Sequence, residues 1–486
     1  MKKIIFVASL VVFLSGCNLD INTDPDHPST VSSILILPSA ENFIAQSAGN
    51  LMYNYAGFFA QYYEQMPEAG QYTEISEYSF KQSSQLIDRA YLDLYAGALM
   101  DLQQILNDNS VTTADKYVAT VLRAYSFQLL VDNTSQTPYT EALHASQPKS
   151  DKGEDVYKGV LDEMDKAEAA LSNSSITCND LIFSKDLSQW KGFANALRLR
   201  MYLRFIDANV DTENYTSKLK TLVNAGNFFT GDVEYAPFSD EEDKRNPWYT
   251  TNSIKLASNH CASYPIVSYL LATKDPRIAY DFKKATATDS YAGELPGSRT
   301  ELTNEKKNKD YSALNYYPTK PVYFFTQSEL QFMLAESYIR FFDNDAKAKS
   351  AYEAGIDADF LARDIDNPSQ MYGTNGPVAW STATTNPEKL ELIYMQKWVA
   401  LCYMDHMEAW SEIRRTDCPS WSSKTATKIY ADPTIYTAGQ LIVPMRNSLD
   451  GTNVVKRMWF CQTAKNLNPN TPDPVPVTTP VWWDIK

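Results

Sequence analysis

The sequence predicts a mainly α-helical protein in which successive helix pairs are joined by long irregular loops, with little β structure. Three observations predict this. Apolar residues recur at spacings of three and four along many long segments, the period of a helix with one buried face. Glycine is sparse, 17 of 486 residues, fewer than a sandwich of many tight turns would use. Aromatic residues reach 13%, with 31 Tyr and 9 Trp, and a chain of this length can bury a core of such side chains without a disulfide framework.

In chain order, the first element stands outside the fold. Met1, Lys2 and Lys3 precede an apolar run from Ile4 to Leu14, followed by Ser15, Gly16 and Cys17. A membrane span needs roughly 20 apolar residues, more than this run holds. Two lysines, a short apolar segment and small residues before a cysteine read as a bacterial lipoprotein export signal over residues 1–16. Ser15 and Gly16 let a peptidase reach the bond before Cys17, whose sulfur would carry the lipid at the mature N-terminus. Residues 17–38 read as a lipidated tether, polar and broken by Pro25 and Pro28. Its alternating Asp20, Asn22, Asp24 and Asp26 imitate a calcium loop, but Pro25 stands where an EF-hand needs glycine and Val31 where it needs glutamate.

Residues 39–486 are expected to form a single helical domain. A long aromatic-rich helix is predicted over 39–66. The next, 87–107, aligns Tyr91, Leu94, Tyr95, Ala98, Leu102 and Ile105, and 113–131 places Tyr117, Val118, Val121, Leu122, Tyr125 and Leu129 on one face. Helices over 154–171 and 187–208 follow, and a short one near 214–225. A loop-rich insertion around 226–322, holding a helix near 263–273, interrupts the pattern; such long loops usually carry function. Thr326 with Glu329 reads as a capping box before a stripe of Leu330, Met333, Leu334, Ser337, Tyr338 and Phe341. A partner helix over 345–361 and a long helix over 388–415 come next, the latter ending on Arg414 and Arg415, cations suited to a helix C-terminus. The last seventy residues, rich in proline, predict irregular structure. Antiparallel helix pairs with short connections give a tetratricopeptide-like helical-pair scaffold, although the spacing is not an even 34 residues.

Several segments, in their order, resemble the SusD/RagB-like family of outer-membrane nutrient-binding lipoproteins. They are Leu129-Leu130-Val131-Asp132 with Thr137-Pro138-Tyr139-Thr140-Glu141-Ala142-Leu143, and Trp190-Lys191-Gly192-Phe193-Ala194-Asn195-Ala196-Leu197-Arg198-Leu199-Arg200. Further on are Ser328 to Ser337, Tyr352-Glu353-Ala354-Gly355-Ile356, Gln396-Lys397-Trp398-Val399-Ala400, and Glu408 to Arg415. Asn133-Thr134-Ser135-Gln136 departs from the family pattern, where relatives often show an aromatic and a glycine. The resemblance implies a helical tetratricopeptide-like scaffold, a lipid anchor in the outer membrane facing the cell exterior, and capture of a glycan such as starch. It also implies a TonB-dependent, SusC-like transporter partner over which the lipoprotein sits as a lid. A peptide cargo, as in RagB-like relatives, is the alternative.

Composition and motifs agree with a binder rather than an enzyme. Removing residues 1–16 takes Lys2 and Lys3, leaving 42 Lys and Arg against 59 acids and deepening the net charge from −15 to −17. Such a surface repels phosphate backbones, so no nucleic-acid partner is expected. No HExxH or GxSxG occurs. The four histidines are His27, His144, His260 and His406; Cys402 and His406, four apart on a predicted helix, could share a metal only with a third ligand that the sequence does not place nearby. No cofactor or metal is expected. Paired carboxylates for glycoside cleavage are uninformative among 59 acids, and a secreted hydrolase is the remote alternative. Cys178, Cys261, Cys402, Cys418 and Cys461 are too scattered for a disulfide framework and read as buried apolar residues, with at most one or two bridges.

A sugar binder needs exposed rings to stack on pyranose faces, flanked by amides and carboxylates. Helix aromatics such as Trp190, Phe193, Trp398 and Trp410 are expected in the core, and Arg198, Arg200 and Arg414 are expected to pair with Glu336 and Glu408 between helices. Loop rings are therefore the ligand candidates: Trp248 and Tyr249, Tyr72 and Tyr78, and Tyr372 and Trp380. Asn252, Asn375 and Asp240 are the polar candidates. On this reading, alanine at Trp248 and Trp380 weakens ligand retention and leaves thermal unfolding nearly unchanged.

Overall fold

The computed structural model describes residues 32–302 and 304–485. The export signal, Cys17 and the tether as far as residue 31 lie outside the described residues. The fold is built of helix pairs. Thr113–Thr134 packs on Gly153–Ala169, Leu187–Asp207 on Thr212–Ala225, and Gln327–Phe342 on both Asp345–Ala362 and Asn386–Leu401. Three two-stranded antiparallel ladders are its sheets, among the described residues. Trp190, Phe193, Trp398 and Trp410 are all buried, as their helical stripes require. No helix among the described residues is long and apolar enough to cross a membrane.

Two predicted helices break where side chains compete for the backbone. The helix expected over 39–66 runs as Leu37–Gln46, a π turn Ser47–Leu51 and Met52–Phe59. Gln61 then takes a left-handed φ of 56°, and its amide clamps the Ile442 backbone, Nε2 donating to the carbonyl at 2.6 Å and Oε1 accepting from the N–H at 2.9 Å. This turns the chain into a strand, Tyr63–Gln65, paired with His260–Ala262. The helix expected over 388–415 is likewise two, Asn386–Leu401 and His406–Thr416. Tyr403 adopts a φ of 59°, and Asp405 caps the second helix by accepting from the Glu408 N–H at 3.0 Å. Cys402 and His406 therefore stand on different elements. His406 Nε2 accepts from the Tyr403 N–H at 2.9 Å, and its Nδ1 lies 3.1 Å from the Tyr53 carbonyl.

Thr326 does cap its helix, accepting from the Glu329 N–H at 3.0 Å. The Glu329 carboxylate does not return to the backbone; it receives Arg200 Nη2 at 2.7 Å. The interhelical ion pairs differ from those expected. Arg200 does reach Glu408, at 3.4 Å, but Arg204 holds it more closely, at 2.6 Å. Glu336 pairs with Arg415 and Arg340, each at 2.7 Å, and Arg198 with Asp165 and Glu168 at 3.0 and 2.9 Å. Arg414 lies over the Trp410 ring at 3.7 Å and donates to the Asp132 carbonyl. Helical periodicity locates the charged positions on each face, but the crossing angles decide the partners.

Two strand ladders help to tie the loop-rich segment to the helical body. Val233–Tyr235 pairs with Val322–Phe325, and His260–Ala262 with Tyr63–Gln65. The final seventy residues are not wholly irregular: they contain helices Ala426–Ala431 and Gln462–Leu467. Trp483, near their end, is buried and donates to Asp132 at 2.8 Å. All five cysteines of the body are buried and unpaired.

Candidate functional site

One face gathers four long segments, 66–87, 249–259, 290–310 and 422–453. The Tyr63–Gln65 strand and its partner end at a polar knot. Asn259 Oδ1 accepts from Gln65 Nε2 at 3.2 Å and from the Gln71 N–H at 3.1 Å, while Gln65 Oε1 accepts from the Tyr72 N–H at 2.6 Å. These bonds set the half-buried Tyr72 ring 4.8 Å from His260, with its hydroxyl donating to Asn252 Oδ1 at 2.5 Å. Neighbouring segments close round it. Arg299 Nε donates to the Ala69 carbonyl at 2.8 Å, and Glu68 and Asn308 exchange backbone-to-side-chain bonds at 3.0 Å. The Met445 N–H donates to the Pro296 carbonyl at 2.7 Å, and that of Ser448 to the Glu77 carbonyl at 3.0 Å.

Beneath this face lie two buried carboxyls. Glu64 accepts from Ser76 Oγ at 2.6 Å, and Glu294 from Ser298 Oγ at 2.9 Å and from the Cys261 thiol at 3.1 Å. Burial pushes both upward, Glu294 to about 8, so that it is mostly protonated at neutral pH. The histidines below are held neutral by the same effect, His260 pushed down to about 3 and His406 also lowered. These two carboxyls and two histidines are thus buried beneath the surface and held in their neutral forms.

The candidate residues are dispersed. Tyr72, Asn252, Trp248 and Tyr249 fall in one neighbourhood. Trp248 does not present its face to solvent: it is 1% exposed, packed 4.5 Å from Tyr316 and 5.2 Å from His260. Asn246 causes this, because its amide donates to the Lys320 carbonyl and accepts from the Tyr249 N–H, turning the following indole inward. Asn252 is buried too, while Tyr249 is half-buried. Tyr78 is buried beside Phe59, away from this cluster.

Tyr372, Asn375 and Trp380 belong to a separate region over a second core. There Trp380 is buried, 5.3 Å from Tyr352, with its Nε1 donating to Asp345. Tyr372 is half-buried and donates to Asp357 at 2.8 Å, and Asn375 is exposed. Asp240 is exposed and engaged by Arg245 at 2.7 Å. Position in a loop was the signal for exposure, and it fails wherever a loop folds back on the core.

The same face carries a ring that sequence reasoning passed over. Tyr430 is 37% exposed, with its hydroxyl donating to Glu305 at 2.7 Å and the Lys306 ammonium 5.9 Å from its ring. It sits on the Ala426–Ala431 helix, whose Thr425 cap was the available signal in a stretch read as irregular.

The family described as starch-binding and associating with the outer membrane matches residues 25–436. The chain belongs to the SusD-like family. A prokaryotic membrane lipoprotein lipid-attachment site matches residues 1–18, which include Cys17. This SusD-like protein is therefore a nutrient-binding, lipid-anchored protein of the outer membrane. No curated protein sequence matches it. Among solved structures, it is similar to a chitin-binding SusD homologue from Flavobacterium johnsoniae, with 22% identity over 93% of this chain and 96% of that one, at a TM-score of 0.74. It is also similar to a SusD homologue from Bacteroides thetaiotaomicron, with 20% identity, 94% and 100% coverage and a TM-score of 0.73. A Bacteroides vulgatus homologue gives 20% identity, 90% and 92% coverage and a TM-score of 0.71. At these identities the likeness is one of fold.

Proposed function

We propose that this SusD-like lipoprotein binds an oligosaccharide at the cell surface without cleaving it and passes it to a TonB-dependent, SusC-like transporter in the same membrane. The observation that carries this reading is the family match over residues 25–436, with its starch-binding, outer-membrane description. The lipid-attachment match supports anchoring through Cys17, and an outward-facing position is part of the proposal. A chitin-binding homologue of the same fold supports a glycan as cargo. The gathered loop face is the proposed binding surface, with Tyr72, Tyr249 and Tyr430 offering ring faces, and Asn308 and Arg299 hydrogen-bonding groups.

The test is calorimetric titration of the purified protein, lacking residues 1–17, with malto- and chito-oligosaccharides, alongside chromatography of the same mixtures after long incubation. Saturable binding with unchanged oligosaccharide is expected. Shortened products would establish a hydrolase, and binding of peptides with no glycan binding would establish the peptide alternative. Co-isolation of a β-barrel transporter from gently solubilised outer membranes tests the partnership.

A further inference from the structure

Beside the proposed binding surface, a cleft of about 420 Å³ opens between residues 422–427 and 443–452. Its size lies within the range of small-ligand sites. Both walls are pinned. The Ser422 N–H donates to the Leu441 carbonyl at 2.7 Å, and the opposite wall is held by Met445 on Pro296. Asn447 fixes the turn beyond it through Nδ2, which donates to the Asn453 carbonyl at 2.9 Å.

The lining is unusual for this chain. Acids outnumber Lys and Arg by 59 to 44 overall, yet no carboxylate lines the cleft and its one charged group is Lys424. The Lys424 ammonium has no ion-pair or hydrogen-bond partner among the described residues, so it is open to a ligand, as surface lysines such as Lys428 also are; what sets Lys424 apart is its place in the cleft wall. The side-chain hydroxyls of Ser423, Thr427 and Thr452 are likewise uncommitted. Pro444 and Leu449 add an apolar wall. A free cation, free hydroxyls and an apolar surface match a ligand that carries a carboxylate, hydroxyl groups and C–H faces together.

We propose that this cleft is a subsite for a hexuronic acid unit, with Lys424 on the sugar carboxylate and the Ser and Thr hydroxyls on the ring hydroxyls. The proposal rests on the glycan-binding reading and narrows its cargo to an acidic oligosaccharide. The Met445–Pro296 and Ser448–Glu77 bonds tie the cleft wall to the segments that carry the Tyr72 face.

The experiment is calorimetric titration with oligogalacturonate, with the same oligomer after reduction of its carboxylates, and with a maltooligosaccharide of equal length. Wild type and Lys424→Ala are compared at two salt concentrations. Oligogalacturonate is expected to bind wild type best, to weaken with salt, and to lose about tenfold in affinity in Lys424→Ala. The two neutral oligomers are expected to bind both proteins alike. If oligogalacturonate binds no better than its reduced form, or if Lys424→Ala leaves its affinity unchanged, the uronate subsite is overturned while the glycan-binding reading stands. If none of the glycans binds and acidic peptides do, both fall. Lys424 is exposed, and an unchanged melting curve confirms that the variant is folded.

Discussion

The indole of Trp483 donates to the carboxylate of Asp132 at 2.8 Å, joining residues 351 positions apart in the sequence. Asp132 also receives the Tyr157 hydroxyl at 2.6 Å and Arg204 at 2.5 Å, so a single buried carboxylate ties the C-terminal segment to three helices. Removing the indole N–H leaves a buried, charged acceptor short of one donor. Trp483→Phe is expected to cost about 2 kcal/mol in urea unfolding. The neighbouring Trp482, whose Nε1 has no partner, is the control: Trp482→Phe should cost distinctly less.

Trp248 and Trp380 should behave as core residues. Alanine at either is expected to destabilise by about 3 to 5 kcal/mol, the range for a buried large aromatic. A melting temperature within a degree or two of wild type would contradict the packing described for them.

Tyr72 should behave differently, because its ring is only partly buried. Tyr72→Ala is expected to weaken oligosaccharide binding severalfold. Tyr72→Phe keeps the ring, frees Asn252 and costs about 1 kcal/mol of stability or less. Titrating both variants separates the ring's stacking from the hydroxyl's anchoring.

Glu294 sets a pH dependence. Its folded pKa of about 8 lies above its ordinary 4.5, so the native state keeps a proton that the unfolded chain has released. Its contribution is full below about pH 4.5 and falls between there and about 8, at roughly 1.4 kcal/mol per pH unit. Glu294→Gln is expected to flatten that part of the stability curve, measured by urea unfolding at several pH values. A slope unchanged by the substitution would show that other groups, such as Glu64, carry it.

Cys17→Ser should release the protein from the membrane fraction without altering oligosaccharide affinity. Fractionation followed by titration of the released protein measures both.

Helical periodicity made most of the helices legible, but not their surroundings: Thr113–Thr134, whose stripe from Tyr117 to Leu129 suggested one buried face, is buried on nearly every side because other helices pack all round it. Periodicity could not place Gln61 against Ile442, a contact 381 positions apart that ends a helix the local pattern would continue. Nor could it foresee Asp405, whose capping bond competes with helix continuation at a single position. The candidate rings were legible only as loop aromatics. Whether a loop indole faces outward or inward depends on anchors such as Asn246, and that separates buried Trp248 from partly buried Tyr72. Tyr430 was hidden by composition, since proline-rich surroundings mask a helix of only six residues.

The five buried thiols have a consequence for a protein that matures outside the cytoplasm, where disulfides form readily. Burial raises the pKa of each, to about 12 for Cys178 and Cys461, so almost no reactive thiolate exists while the chain is folded. An unfolded copy loses that shelter at all five positions together and exposes them to oxidation and mispairing. Protection from oxidative cross-linking is thus a property of the folded state itself, and a chain that folds slowly meets the oxidant before its core has closed.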